Sequence, residues 1–105
     1  MKVKNIDLPM DKIAEFCQRW KVIEFSLFGS VLRDDFRPDS DIDILVKWAP
    51  DAGTTFSDLD EMEEELKSLF GRDIDLVSKR AIENSLNYLR RKAILNSAEI
   101  IYVRA

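Results

Sequence analysis

Apolar residues recur every three or four positions over residues 10–20 and again over residues 57–70. This spacing places them on one face of a helix, so each segment is predicted to be amphipathic and helical. Pro9 suits a helix start, and Gly71 is a plausible residue just beyond a helix end. The residues expected to face inward are Ile13, Phe16, Cys17, Trp20, Leu59, Met62, Leu66, Leu69 and Phe70.

Short runs rich in β-branched and aromatic residues predict three strands, at 22–28, 42–48 and 73–77. A short helical segment is expected at 79–84, followed by a longer helix over 86–101. The residues expected to face inward from that helix are Leu86, Leu89, Ala93, Ile94, Ala98 and Ile101. Helices alternating with strands predict one α/β or α+β domain, spanning residues 1–105, with a small sheet.

The connections between these elements also carry signals. Gly29 and Ser30 end the first strand, and the following "SVLRD" predicts one or two helical turns. Residues 37–40, "RPDS", predict a turn, because proline fixes one backbone angle and Asp and Ser hydrogen-bond to nearby backbone groups. Residues 49–54 contain Pro and Gly and are expected to form a loop.

The sequence contains no histidine and only one cysteine, Cys17. A Ser-His-Asp or Cys-His nucleophile, a histidine-ligated metal and an internal disulfide are therefore excluded within the chain. Any chemistry must depend on carboxylates, hydroxyls, Lys and Arg, or on a hard metal ion that such groups bind.

The formal net charge is −4. An acidic domain is a poor candidate for binding long nucleic acids through their phosphate backbone. No stretch approaches the roughly 20 apolar residues that span a bilayer, and no signal-peptide pattern opens the sequence. We therefore expect a cytoplasmic protein that does not bind membranes.

Two predicted strands carry aspartates at alternate positions. Asp41 and Asp43 point to one face, about 7 Å apart at a rise of ~3.3 Å per residue, with apolar residues on the other face. The third strand repeats the pattern with Asp73 and Asp75. If the strands pair, Asp75 can join Asp41 and Asp43, and three converging acids can bind two metal ions about 3.5–4 Å apart.

Other interpretations of these acids remain. The Asp-Ser-Asp stretch can be a turn with solvated side chains, and Asp34, Asp35 and Asp39 have no spacing argument beyond solvation. An EF-hand calcium loop is excluded, because Ile44 stands where glycine is needed and Pro50 stands where the bidentate glutamate is needed.

Gly29 and Ser30 lie between a strand and a helical start, where backbone amides and a hydroxyl can donate hydrogen bonds to a phosphate. Arg33 follows one helical turn later and can meet the same phosphates. The alternatives are an ordinary Gly-Ser turn and an ion pair of Arg33 with Asp34 or Asp35. Neither a P-loop nor a dinucleotide-binding glycine motif is present.

Taken together, "GSVLRDDFRPDSDIDILV" resembles the G-S-x-x-R-G-x-x-x-x-x-S-D-I-D-L-x-V signature of the minimal nucleotidyltransferase (MNT) group, in the DNA polymerase β superfamily. The resemblance covers nearly the whole chain, including "AIENSLNYLRRKAILNSAEIIY". It implies a nucleotidyltransferase fold, with a small mixed sheet flanked by helices. One departure from the signature matters: Asp34 stands where the group usually has glycine, and its negative charge can weaken nucleotide binding or shift the loop.

The resemblance also implies roles for individual residues. Asp41, Asp43 and Asp75 are expected to bind two Mg²⁺ ions and to be catalytic, with Asp75 helping to deprotonate the attacking hydroxyl. Gly29 and Ser30 are expected to bind the β- and γ-phosphates of ATP, assisted by Arg33.

The MNT group is known as the antitoxin half of HEPN/MNT toxin–antitoxin pairs. The expected reaction transfers AMP from ATP to a tyrosine of a HEPN-domain RNase toxin, because a chain this small needs a partner to bring the acceptor. The alternative is an antitoxin that inhibits its toxin by occlusion alone, with a vestigial metal site.

Overall fold

The computed structural model describes residues 2–3, 6–34, 36–37 and 39–104. Its strands are β1 (Lys2–Val3), β2 (Ile6–Asp7), β3 (Val22–Phe28), β4 (Ile42–Trp48), β5 (Ile74–Ser78) and β6 (Glu99–Val103). Its helices are α1 (Met10–Trp20), α2 (Phe56–Phe70), α3 (Lys79–Glu83) and α4 (Tyr88–Ser97), with a 3₁₀ turn at Gly29–Leu32.

The main sheet has the strand order β5-β4-β3-β6. β3 pairs antiparallel with both β4 and β6, whereas β4 and β5 run parallel and are connected through α2. A mixed α/β fold with a small sheet was predicted, and the structure confirms it. β1 and β2 form a separate antiparallel pair that the sequence analysis did not predict.

The larger core lies on one face of the sheet, beneath α1 and α2. Its fully buried members include Phe16 of α1, Met62 of α2, Phe25 of β3 and Ile44 of β4. A bridge joins the two helices, where the indole Nε1 of Trp20 donates to Glu65 at 2.9 Å. α1 and α2 therefore cover the same face and leave the opposite face to the remaining helices.

A smaller core on the opposite face is built from Phe28, Leu45 and Ile82, with Ile94 of α4 packed against it. α3 and α4 cover only part of this face, and the end of the sheet where β4 begins is left to polar side chains. None of the described helices is both long and apolar enough to cross a bilayer.

The helix predicted over 86–101 is wrong at both ends. α4 begins at Tyr88 and ends before Ala98, whose ψ of 136° is extended, and residues 99–103 then form β6. Leu86 is fully exposed, Leu89 is 77% exposed and Ala93 is also exposed, so none of the three faces inward as predicted. Ile101 is buried, but from a strand, because pairing with β3 determines the conformation of this segment.

The other predicted helices and strands agree with the structure to within one residue. The helical turns predicted over 30–34 end at Leu32, and Arg33 is extended and not part of a helical turn with Ser30. The turn at 37–40 is closed by the Ser40 amide, which donates to the Arg37 carbonyl at 3.0 Å, and by the Ser40 hydroxyl, which accepts from the Arg37 amide at 3.0 Å. Asp35, predicted to be solvated, and Pro38, predicted to fix this turn, lie outside the described residues.

Candidate functional site

Three chain segments meet at the end of the sheet where β4 begins. In the register of the sheet, Asp43 of β4 lies opposite Asp75 of β5 and opposite Phe28 of β3. Gly29 directly follows Phe28, and Asp41 lies two positions before Asp43. The parallel pairing of β4 with β5 thus brings together aspartates that are 32 positions apart in the chain.

The alternation of side chains along β4 determines which of its residues can take part in a site. Ile42 and Ile44 are fully buried in the larger core, so Asp43 between them points to the opposite face, where it is half-buried. Asp41 and Asp75 are exposed. The neighbouring strands β4 and β5 therefore present a solvent-accessible group of acids.

Gly29 lies directly against the Asp43 carboxylate. A Cβ placed on Gly29 would lie 2.2 Å from Oδ2 of Asp43 and 3.1 Å from its Cγ, and the φ of Gly29 is +74°. Both the contact and the left-handed backbone require glycine. The next backbone amide, that of Ser30, donates a hydrogen bond to Asp43, so the Gly-Ser turn and the acids form one unit.

The pKa of Asp43 is raised above its ordinary value, first by partial burial and then by the negative charges of Asp75 and Asp41. The Ser30 amide and the charge of Arg33 act in the opposite direction. A bound cation reduces the repulsion among carboxylates held together in this way, and carboxylate oxygens are the ligands that Mg²⁺ prefers. The donor set therefore fits a hard divalent ion.

Within the described ranges, however, no three acidic or cysteine side chains are already arranged as ligands around a single point. The fit to a metal ion depends on strand register and charge, with the Asp41 and Asp75 side chains exposed to solvent.

Arg33 follows the 3₁₀ turn in extended conformation, and its amide donates to the Ser30 carbonyl at 2.9 Å. Its side chain is exposed and its charge reaches Asp43. Asp34 and Asp39 are also exposed. The structure thus brings Gly29, Ser30 and Arg33 to the β3 side of the acids.

Sequence reasoning missed Arg72, which holds the loop that leads into Asp41. Its Nη1 donates to the carbonyl of Arg37 at 2.9 Å and to that of Ser40 at 3.2 Å, and its Cζ lies 4.5 Å from the centre of the Phe36 ring. No sequence signal could reveal this role, because its hydrogen-bond partners are backbone carbonyls, which every residue has.

Glu63, also missed, approaches the acids from α2. Its pKa is raised first by burial and then by the charges of Asp60, Asp75 and Glu64. The sequence did not distinguish Glu63 from the other acids in the first turns of α2, because acidic residues near a helix start are also expected from the helix dipole.

A cavity of about 600 Å³ lies between the end of α2, the turn before β4 and the start of β5. None of Gly29, Asp41, Asp43 and Asp75 lines it, although Ser40 and Asp73 in its wall are close to Asp41 and Asp75 in the chain. The side chains in its wall are those of Asp39, Ser40, Glu64, Lys67, Ser68, Arg72 and Asp73.

Comparison with known proteins places this geometry in a family. The model of the nucleotidyltransferase domain matches residues 10–101. The protein adenylyltransferase MntA of Thermococcus cleftensis is 34% identical over 85% of this chain and 82% of its own. The Methanocaldococcus jannaschii protein MJ0128, named as a candidate protein adenylyltransferase, is 36% identical over 97% of this chain and 95% of its own.

Solved structures share the fold. A candidate minimal nucleotidyltransferase is 31% identical with a TM-score of 0.68, covering 87% of each chain. A toxin–antitoxin complex with AMP-PNP has a TM-score of 0.70 at 24% identity, covering 92% of this chain and 75% of the other. A tri-AMPylated Shewanella oneidensis HEPN toxin in complex with an MNT antitoxin has a TM-score of 0.61 at 24% identity, covering 90% and 69%.

The family identified from the Gly-Ser and Asp-x-Asp motif is thus confirmed over most of the chain. The strand register that joins Asp43 to Asp75 and Gly29 is the structural counterpart of that motif. The chain belongs to the nucleotidyltransferase domain family, and it is a minimal nucleotidyltransferase.

Proposed function

We propose that this protein is an antitoxin that transfers AMP from ATP to a tyrosine of a cognate HEPN-domain RNase toxin, in a Mg²⁺-dependent reaction. The single observation that carries the proposal is the unit formed by Asp43, its register partner Asp75 and the glycine whose Cβ position Asp43 occupies. The names of the relatives and the AMPylated toxin in a related complex support the choice of reaction.

In this proposal Asp41, Asp43 and Asp75 hold two Mg²⁺ ions, which would neutralise phosphate charge and lower the pKa of the attacking hydroxyl. Gly29 and Ser30 bind the β- and γ-phosphates, with the Ser30 hydroxyl as a donor, and the missing side chain of Gly29 leaves room for the Asp43 carboxylate beside them. Arg33 adds positive charge on the same side.

Asp75 accepts the proton of the tyrosine hydroxyl, either directly or through water. The phenolic oxygen forms a bond to the α-phosphorus while the bond from that phosphorus to pyrophosphate breaks. AMP–tyrosine and pyrophosphate are the products, and no oxidant or reductant is needed.

The acceptor comes from a partner, because the described residues form one small domain whose helices and strands are used to build the sheet and its two cores. ATP and an RNase target place the reaction in the cytoplasm. Long nucleic acids and membranes are not expected partners of this acidic chain.

A second candidate function is inhibition by occlusion, without catalysis. One observation favours it: exposed Asp34 puts a negative charge where the minimal nucleotidyltransferase signature has glycine, next to the proposed triphosphate site. The two functions differ in whether the toxin gains mass.

The test is incubation of the cognate toxin with this protein, ATP and Mg²⁺, followed by intact-mass measurement and an RNase assay. We expect the toxin to gain one or more AMP units and to lose RNase activity. Asp41→Asn and Asp43→Asn should abolish the mass gain while the protein stays folded.

A matched control is Asp51→Asn, because Asp51 is an exposed carboxylate whose ion pair with Lys21, at 3.6 Å, lies outside the site. It should transfer AMP like the unmodified protein. A toxin that is silenced without any gain in mass, equally well by the Asp43→Asn variant, would contradict the proposal and favour occlusion.

A further inference from the structure

The order of the proposed site residues across the sheet bears on the side from which the acceptor hydroxyl approaches the α-phosphorus. The Gly29–Ser30 turn lies at the end of β3, Asp43 lies on β4, and Asp75 lies on β5. The phosphate-binding turn and Asp75 therefore flank Asp43 on opposite sides.

Displacement at phosphorus is in-line, so the attacking and leaving oxygens lie on opposite sides of the α-phosphorus. If pyrophosphate leaves toward Gly29 and Ser30, then the acceptor hydroxyl must arrive from the β5 side. The cavity of about 600 Å³ is bordered by the end of α2 and by the start of β5, with Asp73 in its wall two positions before Asp75.

We propose that this cavity is an acceptor cleft, which receives the segment of the partner polypeptide that carries the tyrosine hydroxyl. The inference rests on the proposed function and adds to it the surface that binds the protein substrate. The transfer itself is unchanged: the phenolic oxygen replaces pyrophosphate on the α-phosphorus, and the hydroxyl proton goes to Asp75.

The size and chemistry of the cleft fit a polypeptide segment. Its volume lies within the range of roughly 300–1,000 Å³ that is typical of ligand pockets. Ser40 and Ser68 offer hydroxyls to a peptide backbone, and Lys67 is held in the wall by an ion pair with Asp73, with 3.2 Å between Nζ and Oδ1.

The same wall disfavours a polyphosphate. Asp39, Glu64 and Asp73 put three carboxylates beside the two basic residues of the cleft. One of those two, Lys67, is paired with Asp73, and the other, Arg72, already donates to two backbone carbonyls. A peptide without strong charge avoids the repulsion that a triphosphate would meet there.

The test fills the cleft without changing the acids. Ser68 is exposed on α2 and lines the cleft, whereas Ser57 is exposed on the first turn of the same helix and does not. In Ser68→Trp, kcat/KM for AMP transfer to the toxin should fall on the order of 100-fold, with the affinity for ATP unchanged by calorimetry. Ser57→Trp should change neither quantity.

A second pair of variants excludes a folding defect. Ser68→Cys should be fully active until a bulky maleimide is attached to the folded protein, and Ser57→Cys should be active before and after attachment. The native Cys17 does not interfere, because it is fully buried and its pKa is raised to about 12.

Two results would overturn the inference while the proposed function stands. One is normal transfer to the toxin by both the Trp variant and the labelled Ser68→Cys protein. The other is a loss of ATP affinity that matches the loss of transfer, which would make the cavity a nucleotide subsite. An unmodified protein that adds no mass to the toxin overturns the proposed function itself, and the acceptor cleft with it.

Discussion

Asp43 is half-buried beside two other carboxylates, and its charged form is therefore unfavourable in the folded chain. Its folded pKa lies above its unfolded pKa. Above both values the ionised carboxylate costs stability, and this cost disappears as the pH falls through the raised folded value, because the folded state then holds the proton more tightly.

We expect Asp43→Asn to unfold less readily than the unmodified protein in metal-free buffer at pH 7. Asparagine keeps an oxygen for the Ser30 amide and removes the repulsion, so the gain should be on the order of 0.5 kcal/mol after solvent screening is allowed for. Urea unfolding with a chelator present measures it, and the difference should vanish as the pH is lowered.

Two comparisons complete this experiment. Asp51→Asn, which removes an exposed partner of Lys21, should give no gain in stability. Added Mg²⁺ should stabilise the unmodified protein and not Asp43→Asn. An Asp43→Asn protein that is less stable at pH 7 without metal would show that the carboxylate is needed for folding, contrary to this expectation.

Single residues differ in how far the sequence could reveal their part in the site. The face of Asp43 followed from alternation along a strand with buried isoleucines on either side. The closeness of Gly29 to Asp43 did not, because it depends on the register between β3 and β4. Arg72 was beyond prediction, since it reaches carbonyls 35 and 32 positions away along the chain.

At the scale of elements, the C-terminal segment shows why local periodicity misleads. Apolar positions seven apart, such as Ile94 and Ile101, suit a helix, yet the run Glu99–Val103 is also rich in residues that favour strands. β3 has an edge that only this run covers among the described residues. A pairing so distant in sequence cannot be deduced from a window of neighbouring residues.

α2 was predicted almost to the residue, because its signals are local. Thr55 and Asp58 form a capping box, in which the Thr55 hydroxyl accepts from the Asp58 amide at 3.3 Å and the Asp58 carboxylate accepts from the Thr55 amide at 3.0 Å. Gly71 ends the helix in the left-handed conformation, with φ 68°.

Thr55→Ala should therefore lower the free energy of unfolding by about 1 kcal/mol. The Asp58 amide loses its acceptor, and the hydrogen bond from the residue 55 amide to the Asp58 carboxylate loses the reciprocal bond that supports it. Urea unfolding monitored by circular dichroism measures the change. Ser57→Ala is the control and should have little effect, because Ser57 is exposed two positions after Thr55 and is not part of the capping box. A Thr55→Ala protein as stable as the original would show that the box contributes nothing here.

AMP transfer by Thr55→Ala is expected to stay normal at temperatures where the protein is folded. The cleft is lined by the last turns of α2 and not by its first, so fraying at the start does not reach it.

At the scale of the whole molecule, the single thiol reports on global unfolding. Cys17 is 0% exposed, packed in the larger core, and burial raises its pKa to about 12. Both features suppress reaction, since the thiolate is the reactive form.

We expect iodoacetamide at pH 8 to leave Cys17 unmodified in the folded protein and to label it across the same urea range in which circular dichroism is lost. Coincident midpoints are expected for a two-state domain of this size. A short free thiol compound provides the reference rate, and labelling at that rate in native buffer would contradict the packing described for α1.

The family could be recognised from sequence because its chemistry concentrates in residues 29–46 and at Asp75. The exposure of the apolar residues Leu86 and Leu89 could not be recognised, since they were assigned inward by the same periodicity that correctly placed the cores. Nothing within a chain distinguishes an apolar residue kept for its own core from one kept for another protein.

The position of β6 after all of the site residues matters for chains that are still being synthesised or that have been cleaved by a protease. Every residue assigned to the site precedes residue 79, whereas the strand that covers the open side of β3 comes from residues 99–103. A nascent or proteolytically clipped chain that lacks β6 keeps all of its acids but presents unpaired amides and carbonyls along β3, which can template pairing with another chain. Loss of residues 99–103 is therefore expected to cause aggregation before it damages the chemistry of the site.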